Sequence, residues 1–184
     1  MGGPRRAPGE AVEALEEAIA LLRLLWGDQR SVRFTGRQYQ VAGVKPGPAP
    51  AHPIGIWVGA YGPRMLEVTG RVGDGWVPSS GYVPPERLPA AQARIDDAAA
   101  AAGRDPAAVR RLYNISGRIG PGGGGFLDGP AGQWVEQLLA LVTETGMDTF
   151  VLWPTEEPDH QLELFAAEVA PALRQAVAAH RGRA

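Results

Sequence analysis

A short apolar run, a glycine–proline turn and a second short run constrain this chain more than anything else in it. They are Pro53-Ile-Gly-Ile-Trp-Val-Gly-Ala-Tyr-Gly-Pro-Arg-Met-Leu66 and, close behind, Asp74-Gly-Trp-Val-Pro-Ser79. Ile54 to Ala60 is apolar, β-branched and bounded by turn residues, as a fully buried strand should be. Gly62 gives the turn backbone freedom, and Pro63 suits the first position of a helix, where its missing N–H costs nothing. Strand, turn, helix and strand make one βαβ unit, which demands parallel strands joined by a right-handed crossover. The turn also has a chemical consequence. Free N–H groups at a helix start, backed by the positive end of the helix dipole, attract a phosphate.

The same alternation runs on through the chain. Residues 1–9 are expected to be disordered. Glu10 to Trp26 places Val12, Leu15, Ile19, Leu22 and Leu25 at the spacing of an amphipathic helix that stops at Gly27-Asp28. Val32-Arg-Phe-Thr and Gln38-Tyr-Gln-Val, about Gly36-Arg37, predict a small hairpin, and Lys45 to Pro53 carries four prolines and reads as a loop. Helices are predicted from Pro63 to Val72, Pro85 to Ala102, Gln133 to Thr145 and His160 to His180, the last bent at Pro171. Strands are predicted at Ile54 to Ala60, Asp74 to Pro78, Leu112 to Ile119 and Thr149 to Pro154. Gly120 to Gly125 reads as a flexible link. Four strands each followed by a helix imply a parallel α/β sheet in a single domain, either open or half of an eight-stranded βα barrel.

Composition excludes several functions. The 184 residues hold 18 basic and 20 acidic side chains, well mixed, without the basic stripe of a nucleic-acid binder. No cysteine is present, so thiolate zinc sites and iron–sulfur clusters are ruled out, and redox chemistry would require a bound organic cofactor. His52, His160 and His180 are scattered and predict neither a metal site nor a catalytic triad. No apolar run reaches the roughly 20 residues that span a bilayer, and the expectation is a cytoplasmic protein.

The order of several short segments carries a resemblance: Glu13-Ala-Leu-Glu-Glu-Ala-Ile19 with Leu25-Trp-Gly27, Phe34-Thr-Gly-Arg-Gln-Tyr39, the proline-rich loop, Pro53 to Leu66, Asp74-Gly-Trp-Val77 and Asp148-Thr-Phe-Val-Leu-Trp153. The chain resembles the bacterial luciferase-like monooxygenases, and within them the members that use FMN or coenzyme F-420. The resemblance implies the C-terminal half of a TIM-type (βα)8 barrel, with the hairpin inserted before the first barrel strand present. It also implies that the turn after that strand lies against the cofactor phosphate, which falls on Ala60, Tyr61, Gly62, Pro63 and Arg64. The family's acid/base histidine and much of its ring pocket belong to the first half.

Trp76, Ser79, Asn114 and Trp153, with Ser80 and Ser116, fall near the carboxyl ends of predicted strands, where barrel sites form, and are candidate substrate contacts. Each also has an ordinary role in packing or turns. Arg64 is a candidate charged contact to phosphate, since as a cation it opposes the helix dipole it stands on. Gly122 to Gly125 is followed by Phe126-Leu-Asp rather than Gly-Lys-Ser/Thr, so it is no nucleotide P-loop. Glu156, Glu157 and Asp159 suit the start of the last helix.

Two classes of function follow. The first is a luciferase-like flavin- or F-420-dependent oxidoreductase acting on a small molecule, completed by a homodimer partner or a complementing half-barrel. The second is a non-catalytic half-barrel that binds cofactor, serves structure, or is an inactive remnant.

Overall fold

The computed structural model describes residues 5–183. Their contacts gather them into two compact units, one of residues up to Gly75 with Ala91–Val109, the other of Trp76–Ala90 with Arg110 onward.

In the first unit, helix α1 (Pro8–Leu25) starts two residues before the expected Glu10. Pro8 occupies its first turn, and the Glu10 carboxylate accepts the Ala7 N–H at 2.9 Å, which caps the end. Strands β1 (Val32–Thr35) and β2 (Gln40–Val44) form the expected antiparallel hairpin. Glu17 holds its turn by accepting the N–H groups of Arg37, Gln38 and Tyr39 at 2.7–3.0 Å. Any side chain at Gly36 would run into that carboxylate. Of the apolar run 54–60, only β3 (Trp57–Val58) has strand geometry, and β4 (Gly75–Trp76) is equally short. Asp74 binds Ile56 twice, donating its N–H to the Ile56 carbonyl and accepting the Ile56 N–H, each at 2.8 Å. Helix α2 (Pro63–Val72) matches its predicted bounds. Helix α3 (Leu88–Ala101), which belongs to this unit from Ala91 on, follows a 3-10 turn at Pro85–Arg87, so the predicted start at Pro85 holds only as that tighter turn. Gly70 brings α2 against α3, because a side chain there would strike the Ile95 carbonyl and the Ala98 methyl.

In the second unit, the ten-residue β5 (Arg110–Ile119) pairs in parallel with β6 (Asp128–Gly129) and with β7 (Thr149–Pro154). Helix α4 (Ala131–Thr145) ends at Gly146, whose φ of 66° is the left-handed cap that glycine supplies most readily. Parallel strands connected through a helix make this an α/β fold. Trp134, Tyr113, Leu112, Ile115, Leu138 and Met147 are its buried core.

Two expectations need correction. The stretch Gly120–Gly125 is not a flexible link: Gly120 donates to the Gly129 carbonyl, the Gly125 carbonyl accepts from Asp128 and from Gln133 Nε2, and Gly123, at φ 94°, leaves no room for a side chain beside the Asp128 carbonyl. The final helix is interrupted. It runs as α5 (Pro158–Leu164), a π-helical stretch at Phe165–Val169, and α6 (Ala170–Arg181). The wider turns precede Pro171, whose ring and missing N–H disfavour a regular α-helix at that point.

Candidate functional site

The turn into α2 lies in the first unit and is open. Gly62 is the N-cap residue at φ −85° and ψ 154°, an ordinary extended conformation, so the turn does not need glycine for its backbone angles. A side chain added there would meet nothing within 4 Å. The space is left free, not demanded by strain. Pro63 has no N–H, and Leu66 is the first residue to close a helical bond, to the Gly62 carbonyl at 3.0 Å. The N–H groups of Arg64 and Met65 therefore precede the intrahelical ladder, and no side chain caps them. No acidic residue occupies the first turn to compete with an incoming anion. Tyr61, Gly62, Pro63 and Arg64 are exposed, whereas Ala60 is fully buried and offers a ligand no side-chain surface. Clear space, unbonded amides and an exposed guanidinium fit a phosphate group.

The other candidates belong to the second unit. Asn114 and Ser79 are brought together: Asn114 Nδ2 donates to Ser79 Oγ at 3.2 Å, and the backbone bridge is completed by Asn114 N to the Pro78 carbonyl and Ser80 N to the Asn114 carbonyl, both 2.9 Å. Trp153 is opposite Ser116 on β7 and is 60% exposed. Val151 and Asn114, two residues back on the same strands, share that face. This sheet face is thus half polar, through Asn114 and Ser116, and half apolar, through Val151 and Trp153. Trp76, in contrast, is completely buried and is a core residue rather than a substrate contact.

Sequence reasoning missed two buried polar groups. Tyr113 donates its hydroxyl to the Val83 carbonyl at 2.6 Å, and burial, with the charge of Glu86 added, pushes the phenol well above its ordinary value. Gln161 binds both backbone groups of Ile119. A tyrosine in a strand and a glutamine in an amphipathic helix carry no local signal of such partners. His52, His160 and His180 are all exposed, and among the described residues no cluster of three or more acidic or histidine side chains could hold a metal ion. No described helix is long and apolar enough to cross a membrane.

A family model for luciferase-like monooxygenases matches residues 2–119. The chain belongs to this family. The match contains α1, the hairpin, the Gly62 turn and the strands β3 to β5, and ends before β6 and β7, so the resemblance read from segment order is confirmed. Among its relatives in this family, an F-420-dependent hydroxymycolic acid dehydrogenase of Mycobacterium tuberculosis is 36% identical over 111 residues, covering 60% of this chain and 30% of the relative. An F-420-dependent glucose-6-phosphate dehydrogenase of Gordonia bronchialis is also 36% identical over 111 residues, covering 58% of this chain and 31% of the relative. The fold is shared with a solved F-420-dependent secondary alcohol dehydrogenase at TM-score 0.79 and 15% identity, covering 94% of this chain and 65% of that one. An EDTA monooxygenase from Chelativorans gives TM-score 0.77 at 16% identity, covering 95% and 62%. The matched part is about a third of the length of the curated luciferase-family relatives, and the fold covers less than two thirds of these solved chains. This chain is therefore a partial barrel of that family.

Proposed function

We propose that the chain is the cofactor-phosphate-binding part of a luciferase-family oxidoreductase that uses coenzyme F-420 or FMN. The open, uncapped turn at Gly62 carries this reading. It has the space, the amides and the charge for a phosphate, and it lies inside the segment matched by the family model. When bound, such a cofactor supplies hydride transfer or, as reduced flavin, reactivity toward oxygen. The chain's own part is to hold the phosphate on the Arg64 and Met65 amides, with the exposed Arg64 side chain as a further cation, and to offer Trp153, Ser79 and Asn114 to a small-molecule substrate.

Turnover on this reading requires the rest of the barrel, whether it comes from the same polypeptide, a second copy or a separate chain. Among the described residues β7 pairs only with β5, so its outer edge is open to a further strand. Its exposed Val151 is apolar surface that such a neighbour would cover.

The test is titration of the purified chain with F-420 and FMN, followed by cofactor fluorescence. Gly62→Val should weaken binding about tenfold or more while circular dichroism stays native-like, because the new side chain enters free space; the poorer N-cap should lower stability by only about 1 kcal/mol. Equal affinity in the two proteins would remove the turn from the site. A folded chain that binds neither cofactor would overturn the proposal.

A further inference from the structure

Strand β7 ends at Pro154, opposite Gly117, two residues before β5 ends. Ile119, the last residue of β5, therefore has no strand beside it on that flank. Gln161 takes the place. Its Oε1 accepts the Ile119 N–H at 2.7 Å and its Nε2 donates to the Ile119 carbonyl at 3.1 Å, so one carboxamide pairs as a strand residue would. On the opposite flank β6 holds the same stretch, through Arg118 N to the Leu127 carbonyl at 2.9 Å and Gly120 N to the Gly129 carbonyl at 3.1 Å. Gln161 is only 5% exposed, and it borders a cleft of about 510 Å³ that Arg118, Gly120 and His160 also line.

We infer that Gln161 is a positioning residue: its carboxamide is the last rung of the parallel sheet, fixing the exit of β5 and with it the glycine loop 120–125 at the carboxyl ends of the strands. Barrel enzymes build their sites at that end. The inference rests on the proposed cofactor function only for its effect on binding; the pin itself stands on the geometry.

The chemistry required at this position is narrow. A buried residue here must accept one hydrogen bond and donate another, or leave two backbone groups unpaired. An apolar side chain does neither. A protonated glutamic acid does both, while its carboxylate accepts from the N–H but repels the carbonyl, and burial raises its pKa. Gln161→Glu thus converts the pin into one that titrates. The charged and titratable groups around it are Arg118 on β5, Glu156 and Glu157 in the turn, His160 on α5 and Glu168 in the π-helical stretch. All of them are present in the unsubstituted protein as well, so the difference between the two isolates position 161.

Amide exchange at Arg118, Ile119 and Gly120, corrected for intrinsic rates, tests this in the full chain. Gln161→Glu should match the unsubstituted protein at pH 5 and lose about tenfold in protection at pH 8. Gln161→Met, which keeps the bulk, should be less protected at both. Equal protection of Gln161→Glu at the two pH values, or full protection in Gln161→Met, would overturn the pin; Gln161→Met decides the question if the glutamate variant unfolds at pH 8. F-420 affinity, read beside exchange, should fall over the same pH range in Gln161→Glu and stay flat without the substitution. A loosened loop with unchanged affinity would overturn the positioning role. If the unsubstituted chain binds no cofactor, the proposed function fails while the exchange result still decides the pin.

Discussion

The two units hold their irregular backbone with different chemistry. In the first, ions do it: Glu17 accepts three N–H groups of the hairpin turn, Arg23 donates to the Val72 carbonyl and to Asp74, and Arg104 donates to the carbonyls of Gly70 and Gly73. In the second, neutral groups do it: Gln161 on Ile119, Gln137 on Leu127, Gln133 on Gly125 and Asp128, and Tyr113 on Val83. Exposure explains the choice. The Arg23 side chain is 41% exposed, whereas Gln161 and Tyr113 are 5% and 0% exposed. An ion at such depth would lose several kcal/mol of hydration, and a neutral amide or hydroxyl loses far less. The second unit follows the same rule where it is wet: at the exposed start of β5 and β7, Arg110 pairs with Asp148 through two bonds of 3.0 and 2.9 Å. Depth, rather than fold, selects the chemistry of the buried grips, Gln161 on Ile119 and Tyr113 on Val83.

Three measurements can break or sharpen this contrast, taken from the largest effect down. Trp134→Ala removes a fully buried indole from the second unit's core and should lower unfolding stability by about 3–5 kcal/mol in a denaturant titration. A loss comparable to a surface substitution would mean that Trp134 is not part of a sealed core. Tyr113→Phe deletes only the hydroxyl that serves the Val83 carbonyl, and should cost about 1–3 kcal/mol with packing retained. A neutral outcome would show that water reaches Val83.

Acid gives the smallest effect and the sharpest contrast. Desolvation raises the Glu17 carboxyl, but the N–H groups of Gln38, Arg37 and Tyr39 and the charge of Arg37 together outweigh it and hold the pKa below the ordinary value. A depressed carboxylate contributes its stability above the unfolded-state pKa and loses it as pH falls through the folded one. Amide protection at Arg37, Gln38 and Tyr39 should therefore decline below the ordinary glutamate range, while the neutral contact of Tyr113 with Val83 stays intact. Simultaneous loss of both contacts would erase the distinction. Asp148 should weaken in the same direction, since desolvation there is likewise outweighed, by Arg110, Thr149 and the Arg111 N–H.

Much of this was legible beforehand. The 3.6-residue pattern located α1 and α4 to within two residues, and α2 was bracketed by Pro63 and the Gly73 that follows it, because an amphipathic stripe and a helix-stopping residue are both local signals. The β-branched run 54–60 was harder to read. Composition marks a buried extended segment, but how many of its residues enter a ladder depends on the neighbour, and only Trp57–Val58 do. For the same reason the two-residue β6 was invisible, and the glycine-rich stretch before it was misread. Trp76 and Trp153 looked alike in sequence, each near a strand end. One is sealed in the core and the other is largely exposed.

The sequence by itself determined the order of strand and helix, the parallel α/β class, the absence of cysteine chemistry, and the glycine–proline helix start that offers its amides to an anion. Each of these depends on residues near one another in the chain, through backbone angles and periodic side-chain faces. Only the tertiary structure decided that Gly62 faces clear space, that Ser79 meets Asn114, and that Gln161 replaces a missing strand beside Ile119. Those pairings join residues 35 and 42 positions apart, and no local pattern encodes which distant backbone group a polar side chain will meet.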